Sequence, residues 1–232
     1  MNTSQENVTD ADIQATLEDL YGPLAKRHHA RYHRPDILYH IIFRTFEGRP
    51  LLVPGDELTE IANGVLGKGL KAFDSIELFA YAALSNHVHL QLRGHPMQIP
   101  RFIAYLKREL TIRWRKHINW RDSLWHRGYR STALPTAESQ VTCLAYIYAH
   151  GVKEGLVRRP EEWTGPHVAH HGPGCETIAA RWVNGTRLGK ALWKERQKPA
   201  SKQRRLDPAK YAVDVELRLS PLPAWAELSA AE

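Results

Sequence analysis

The chain has 232 residues, 43% of them hydrophobic and 25% charged, with a formal net charge of +7 and 13 histidines besides. That is the composition of a soluble globular protein, with room for one ordinary domain plus extensions; no apolar run approaches the ~18–20 residues that cross a bilayer. The two cysteines, Cys143 and Cys175, exclude a disulfide framework, and the start MNTSQENVTDAD has no basic-then-apolar signal, so a cytoplasmic protein with a polyanionic partner, nucleic acid above all, is expected.

Residues 9–27 place Ile13, Leu17, Leu20 and Leu24 on one helical stripe, with Thr9 as N-cap, Asp10 and Asp12 at the start and Lys26 and Arg27 at the end. The basic segment HHARYHRP follows, a solvated linker or a phosphate-contacting arm. Residues 36–46, DILYHIIFRTF, are β-branched and aromatic and run into Gly48 and Pro50, which predicts a first strand containing His40. A helix is predicted from Asp56 through Phe73 on the spacing of Leu58, Ile61, Val65, Leu66 and Phe73. Gly64, Gly67 and Gly69 would weaken it by roughly 1 kcal/mol each if interior.

Residues 76–84, IELFAYAAL, are almost wholly apolar, and Ser85-Asn86 separates them from His87-Val88-His89-Leu90-Gln91-Leu92. Two neighbouring antiparallel strands are predicted, the first covered on both faces. Strand alternation puts His87, His89 and Gln91 on one side and Val88, Leu90 and Leu92 on the other. Burying two adjacent imidazoles without a partner is costly, so a divalent cation or a hydrogen-bond partner is expected, with Gln91 as an auxiliary metal or phosphate contact.

Residues 99–118 form a basic amphipathic helix, with Ile103, Leu106, Leu110 and Trp114 as its stripe and Lys107, Arg108, Arg113, Arg115 and Lys116 alongside. A loop and a short strand near 129–134 follow. The aromatic residues Trp114, Trp120, Trp125 and Tyr129, interleaved with arginines that include Arg127 and Arg130, read either as stacking and phosphate contacts for a single strand or as packing. Residues 137–153 are helical again. Tyr146 and His150 are four apart and share a face, while Tyr148 points elsewhere. If that helix lies over the histidine strand, three imidazoles and a phenol converge. A tyrosine with its ordinary pKa of about 10 needs activation, and the electrophile that suits a basic protein with a divalent cation is a phosphodiester.

Past Arg159-Pro160 the composition changes. Residues 164–175 read as irregular, and His167, His170, His171 and Cys175 match no familiar zinc spacing. Residues 186–205 carry eight Lys or Arg against one Glu and read as a solvated extension contacting backbone phosphate. The expected organisation is an N-terminal helical extension and basic linker over 1–35, a central domain over 36–163 and a basic, partly irregular C-terminal extension over 164–232.

The pieces YHIIFRT, ALSNHVHLQL, LWHRGYRS and AYIYAHGVKEGLVRRPEEW, in that order, resemble the single-tyrosine HUH transposases, especially the REP-associated tyrosine transposases. The resemblance implies an α/β (α+β) fold, a central antiparallel sheet with packed helices in ferredoxin-like order. It implies metal-dependent nicking and strand transfer of single-stranded or hairpin DNA through a covalent 5′-phosphotyrosine, by a monomer or homodimer. Tyr146 falls on the family's nucleophile, His87 and His89 on its metal ligands, and His150 on the third ligand position, with Mg²⁺ or Mn²⁺ as the ion. Lys107, Arg108, Arg113, Arg115, Arg127, Arg130 and Lys153 are candidates for contacting DNA. The chain departs from the family where Ser85 replaces a proline before Asn-His and where His150-Gly151 replaces Asn-Pro. The alternative reading is a noncatalytic nucleic-acid-binding protein that keeps the fold.

Overall fold

Four antiparallel strands organise the computed structural model, which describes residues 33–171 and 177–225; the helix expected over 9–27 lies outside the described residues. The strands are β1 (Leu38–Arg44), β2 (Glu77–Leu84), β3 (His87–Arg93) and β4 (Arg130–Leu134), in the order β2-β3-β1-β4. Alternation gives the sheet two unlike faces. Ile41 and Phe43 of β1 pair with Leu90 and Val88 of β3, and this apolar face packs on α1 (Asp56–Ala72) and α2 (Gln98–Trp114) through Leu58, Val65, Leu106 and Leu110.

The other face carries His40, Ile42 and Arg44 of β1 opposite Gln91, His89 and His87 of β3. It is covered by α3 (Ala137–Tyr148), which begins at a capping box between Thr136 and Ser139 and buries Leu144 and Ile147, and by the single turn α4 (His150–Lys153). The sequence predicts one helix to residue 153. The chain instead relaxes at Ala149, where ψ is 3°, although Lys153 N still donates to Ala149 O.

β2 is apolar on both faces because both are covered, and its outer edge is not left open. Ala83 N donates to Pro166 O and Ser220 N to Leu78 O, each at 2.8 Å, which removes the unpaired edge that invites association. The segment expected to be irregular supplies this cover with short turns.

Beyond it lies structure that composition did not reveal. β5 (Thr177–Val183) and β6 (Ala212–Arg218) pair antiparallel, with α5 (Gly185–Arg196) between them in sequence. This hairpin lies on α1. A Cβ on Gly64 would come within 2.0 Å of Arg181 O, and one on Gly67 within 2.9 Å of Glu216 O. Gly64 and Gly67, which weaken α1 locally, are thus what allow the hairpin backbone to touch it, while Gly69 makes room for the rings of Tyr105 and Phe102. Among the described residues no helix is long and apolar enough to cross a membrane.

Candidate active site

The turn between β2 and β3 sets the first imidazole. Asn86 Nδ2 donates to Gly48 O at 3.2 Å, which turns its Oδ1 to accept from His87 Nδ1 at 2.5 Å. His87 therefore presents an unprotonated Nε2, and that atom lies 2.8 Å from His150 Nε2. Two residues along β3, His89 has its Nδ1 at 2.8 Å from His40 Nε2, while its own Nε2 is buried without a protein partner. One nitrogen from each of His87, His89 and His150 lies within 4.8 Å of the others.

Tyr146 completes the group. Its ring centroid is 5.0 Å from His150, 5.6 Å from His89 and 5.9 Å from His40, and Lys153 Nζ sits 4.7 Å from it. The break at Ala149 leaves the four-residue relation of Tyr146 and His150 intact.

Burial governs the charge state of the site. It draws His89 down to about 2, helped by the nearby His150, His87 and His40, and brings His40 and His150 to about 4, with Arg130 and His87 respectively adding to the effect. His87 is lowered by burial and by Arg44. All four rings are thus neutral at pH 7, the form that offers a lone pair to a metal. Burial raises the Tyr146 phenol above its ordinary value, and Glu154 raises it further while Arg44 opposes both.

The residues fit a divalent ion. Between the facing Nε2 atoms of His87 and His150 there is room for one proton only, and the buried Nε2 of His89 has no donor or acceptor to satisfy it. Such an orphan is uncommon in a native interior unless a ligand supplies the partner. Three imidazoles make a donor set for divalent transition metals.

The remaining candidates divide by what they touch. Gln91 shares the histidine face, but its Nε2 donates to Gln140 O at 2.9 Å and ties α3 to the sheet; its Oε1 is buried without a partner. Lys107 Nζ donates to His126 O and Gly128 O, and Arg113 bonds Glu109 and Val183 O, so both hold protein segments together. Arg108 pairs with Glu109 at 2.9 Å and Arg115 reaches Arg121 O at 3.4 Å. Arg127 and Arg130 are exposed, with Arg130 opposite Ile42 on the histidine face. Trp114 and Trp125 are buried and donate to Leu51 O and Lys107 O, the packing outcome for those two. His167 bonds Ile147 O and Ala169 N, while Cys175 lies outside the described residues.

His40 and Arg44 are the site residues that sequence reasoning missed. Alternation in the predicted first strand put them on one face; what it lacked was the β1–β3 register that brings this face against His89 and His87.

A tyrosine on a helix laid over a His-x-His strand of an antiparallel sheet defines a protein of the single-tyrosine HUH class. The family model described as transposase IS200 like matches residues 33–150, just over half of the chain, and the chain belongs to that family. Among solved structures it is similar to a REP-associated tyrosine transposase bound to a REP hairpin, with 17% identity and a TM-score of 0.50 over 60% of this chain and 81% of that one; this likeness concerns the fold. A crystal structure of a candidate transposase from Deinococcus radiodurans R1 matches at 25% identity over 47% of this chain and 87% of that one, with a TM-score of 0.36. No curated protein matches the chain.

Proposed function

We propose that this transposase nicks and rejoins single-stranded DNA through Tyr146, on a strand carrying a hairpin. The observation that carries the reading is the approach of the Tyr146 ring, tilted at 42° and 5.0 Å from His150, to a cluster where three imidazole nitrogens converge. His87, His89 and His150 are the residues that would hold a divalent ion, which when bound polarises a phosphate oxygen and offsets the charge that develops on it.

The chain's own groups do the rest. Asn86 and His40 hold His87 and His89 in the tautomers that turn Nε2 inward. Arg44 and Arg130 add positive charge on the same face, where a phosphate is attracted. Tyr146 Oη bonds to phosphorus as the bond from phosphorus to the 3′ oxygen breaks. The phenol loses one proton and the departing 3′ oxygen gains one, leaving a 5′-phosphotyrosine and a 3′ hydroxyl. Attack by a 3′ hydroxyl reverses the exchange and joins strands. Arg44 is the charge that favours the phenolate, while Lys153 Nζ lies over the Tyr146 ring face, 4.7 Å from its centroid.

The test is to incubate the protein with hairpin-containing single-stranded DNA and Mn²⁺ and look for a denaturation-resistant adduct mapped by mass spectrometry. An adduct on Tyr146 is expected. Its persistence in Tyr146→Phe overturns the assignment, and binding without an adduct under any divalent ion leaves the noncatalytic reading.

A further inference from the structure

The C-terminal hairpin carries a surface that the Tyr146 site does not explain. Helix α5 starts at Asn184, whose side chain accepts from Arg187 N at 3.0 Å. At 3.6 residues per turn, Leu188, Ala191, Leu192 and Glu195 form its partly covered side. Trp193 falls on the opposite side and is 63% exposed, more than any other described large apolar side chain. Leaving an indole in water forgoes the burial free energy that usually draws it inward. Gly189, one turn earlier, would have nothing within 4 Å of a Cβ. A concavity of about 440 Å³ opens there, lined by Gly189, Lys190, Trp193 and Lys194.

Charge points to the occupant. Residues 186–205 hold eight Lys or Arg and one Glu. That Glu195 is already engaged by Lys198 Nζ at 2.5 Å and by Arg204 N at 3.1 Å, whereas Lys190 and Lys194 make no ion pair among the described residues. A lipid-binding helix gathers several apolar side chains on its outer face, and a protein interface has an apolar centre. A lone indole between lysines has the composition of a base-stacking platform with phosphate contacts.

The platform has a firm base. Asn184 N donates to Tyr211 O at 2.8 Å. Trp182 lies between Lys68 Nζ at 5.3 Å and Arg113 Cζ at 5.1 Å, and Arg113 Nη2 donates to Val183 O at 3.0 Å.

We infer that α5 is a second nucleic-acid contact, which stacks a base of single-stranded DNA on Trp193 and pairs flanking phosphates with Lys190 and Lys194. It stands on the α1 side of the sheet, away from the histidine face, and so adds affinity without entering the chemistry. It rests on the reading that the chain binds DNA, not on the covalent step at Tyr146.

The test uses the full chain and fluorescein-labelled oligo-dT, with anisotropy titrations over a range of NaCl. Trp193→Ala is expected to weaken binding about tenfold, or about 1.4 kcal/mol, and Trp193→Phe to restore most of it. Replacing both lysines (Lys190→Gln with Lys194→Gln) should flatten the salt slope by about 1.4, two phosphates at roughly 0.7 each. Adduct yield at saturating DNA should match the parent in all three proteins. Parent-like affinity in Trp193→Ala, or a parent-like slope in the double variant, overturns the platform. If no protein forms an adduct yet the affinity losses appear, the platform stands and the covalent reading fails.

Discussion

At the scale of single residues, His40 decides which nitrogen of His89 is bare. For His89 Nε2 to offer a lone pair, its Nδ1 must carry the proton and donate it to His40 Nε2, 2.8 Å away. A carboxylate usually fills this orienting role behind a metal-bound histidine; here a neutral imidazole does, kept neutral by burial that lowers its pKa to about 4. His40→Ala should therefore weaken Mn²⁺ binding by about 10- to 100-fold in titration calorimetry, and His40→Gln, which keeps an acceptor, should recover part of the loss. Equal affinities in parent and His40→Ala would show that His89 needs no such support. The face shared by His87 and His89 and the one shared by Tyr146 and His150 were legible in the sequence because two local periods, two along a strand and four along a helix, set them; that the two faces meet depended on the helix lying over the strand. His40 and Arg44 were not, because their proximity depends on pairing between strands more than forty residues apart, set by the whole hydrophobic face.

At the scale of elements, His167 fastens the cover of the β2 edge to the end of α3. Its Nε2 donates to Ile147 O at 3.0 Å, in the last turn of the helix, and its Nδ1 accepts from Ala169 N at 2.9 Å. Protonation would take the lone pair with which Nδ1 accepts, while the Nε2 donor bond survives it; burial outweighs that bond and lowers the pKa from 6.5 to about 4. Between those values the unfolded chain binds more protons than the folded one, so the stabilisation is present above about pH 6.5 and is lost as pH falls towards 4. From pH 7 to pH 5 this histidine should cost about 2 kcal/mol. The buried site histidines act in the same direction, so the measurement is a difference: urea unfolding of the metal-free parent and of His167→Gln at the two pH values. The variant should lose about 2 kcal/mol less on acidification, and an unchanged difference would mean that His167 titrates normally. Glycine in α1 teaches the complementary lesson. Helix propensity favours Gly64→Ala by about 1 kcal/mol, but the new Cβ would meet Arg181 O at 2.0 Å. Net destabilisation of about 1–3 kcal/mol in thermal or urea unfolding is expected. Sequence periodicity identified α1 and could not explain Gly64 and Gly67, since their reason lies in a hairpin more than a hundred residues later.

At the scale of the whole molecule, the sheet separates two tasks. One face buries the apolar side chains that make the core and carries the C-terminal hairpin on α1; the other holds the imidazoles under α3. The strand and helix order was legible as far as Trp163, because each element there has its own hydrophobic period. β5 and β6 were not, because a basic helix separates them and their pairing is non-local. This division makes metal binding a probe of one face alone. The pocket offers three neutral imidazoles and, within the cluster, no carboxylate, and imidazole suits first-row transition metals better than Mg²⁺, which prefers oxygen. Because an ion that binds only the folded chain stabilises it by RT ln(1 + [L]/Kd), about 2.7 kcal/mol at a hundredfold excess over Kd, Mn²⁺ should raise the melting temperature at concentrations where Mg²⁺ leaves it unchanged. His150→Ala should abolish the shift, while Trp193→Ala, on the opposite side of the sheet, should keep it in full. Equal shifts with Mg²⁺ and Mn²⁺ would show that oxygen donors, with Gln91 Oε1 an unpartnered one on that face, complete the site.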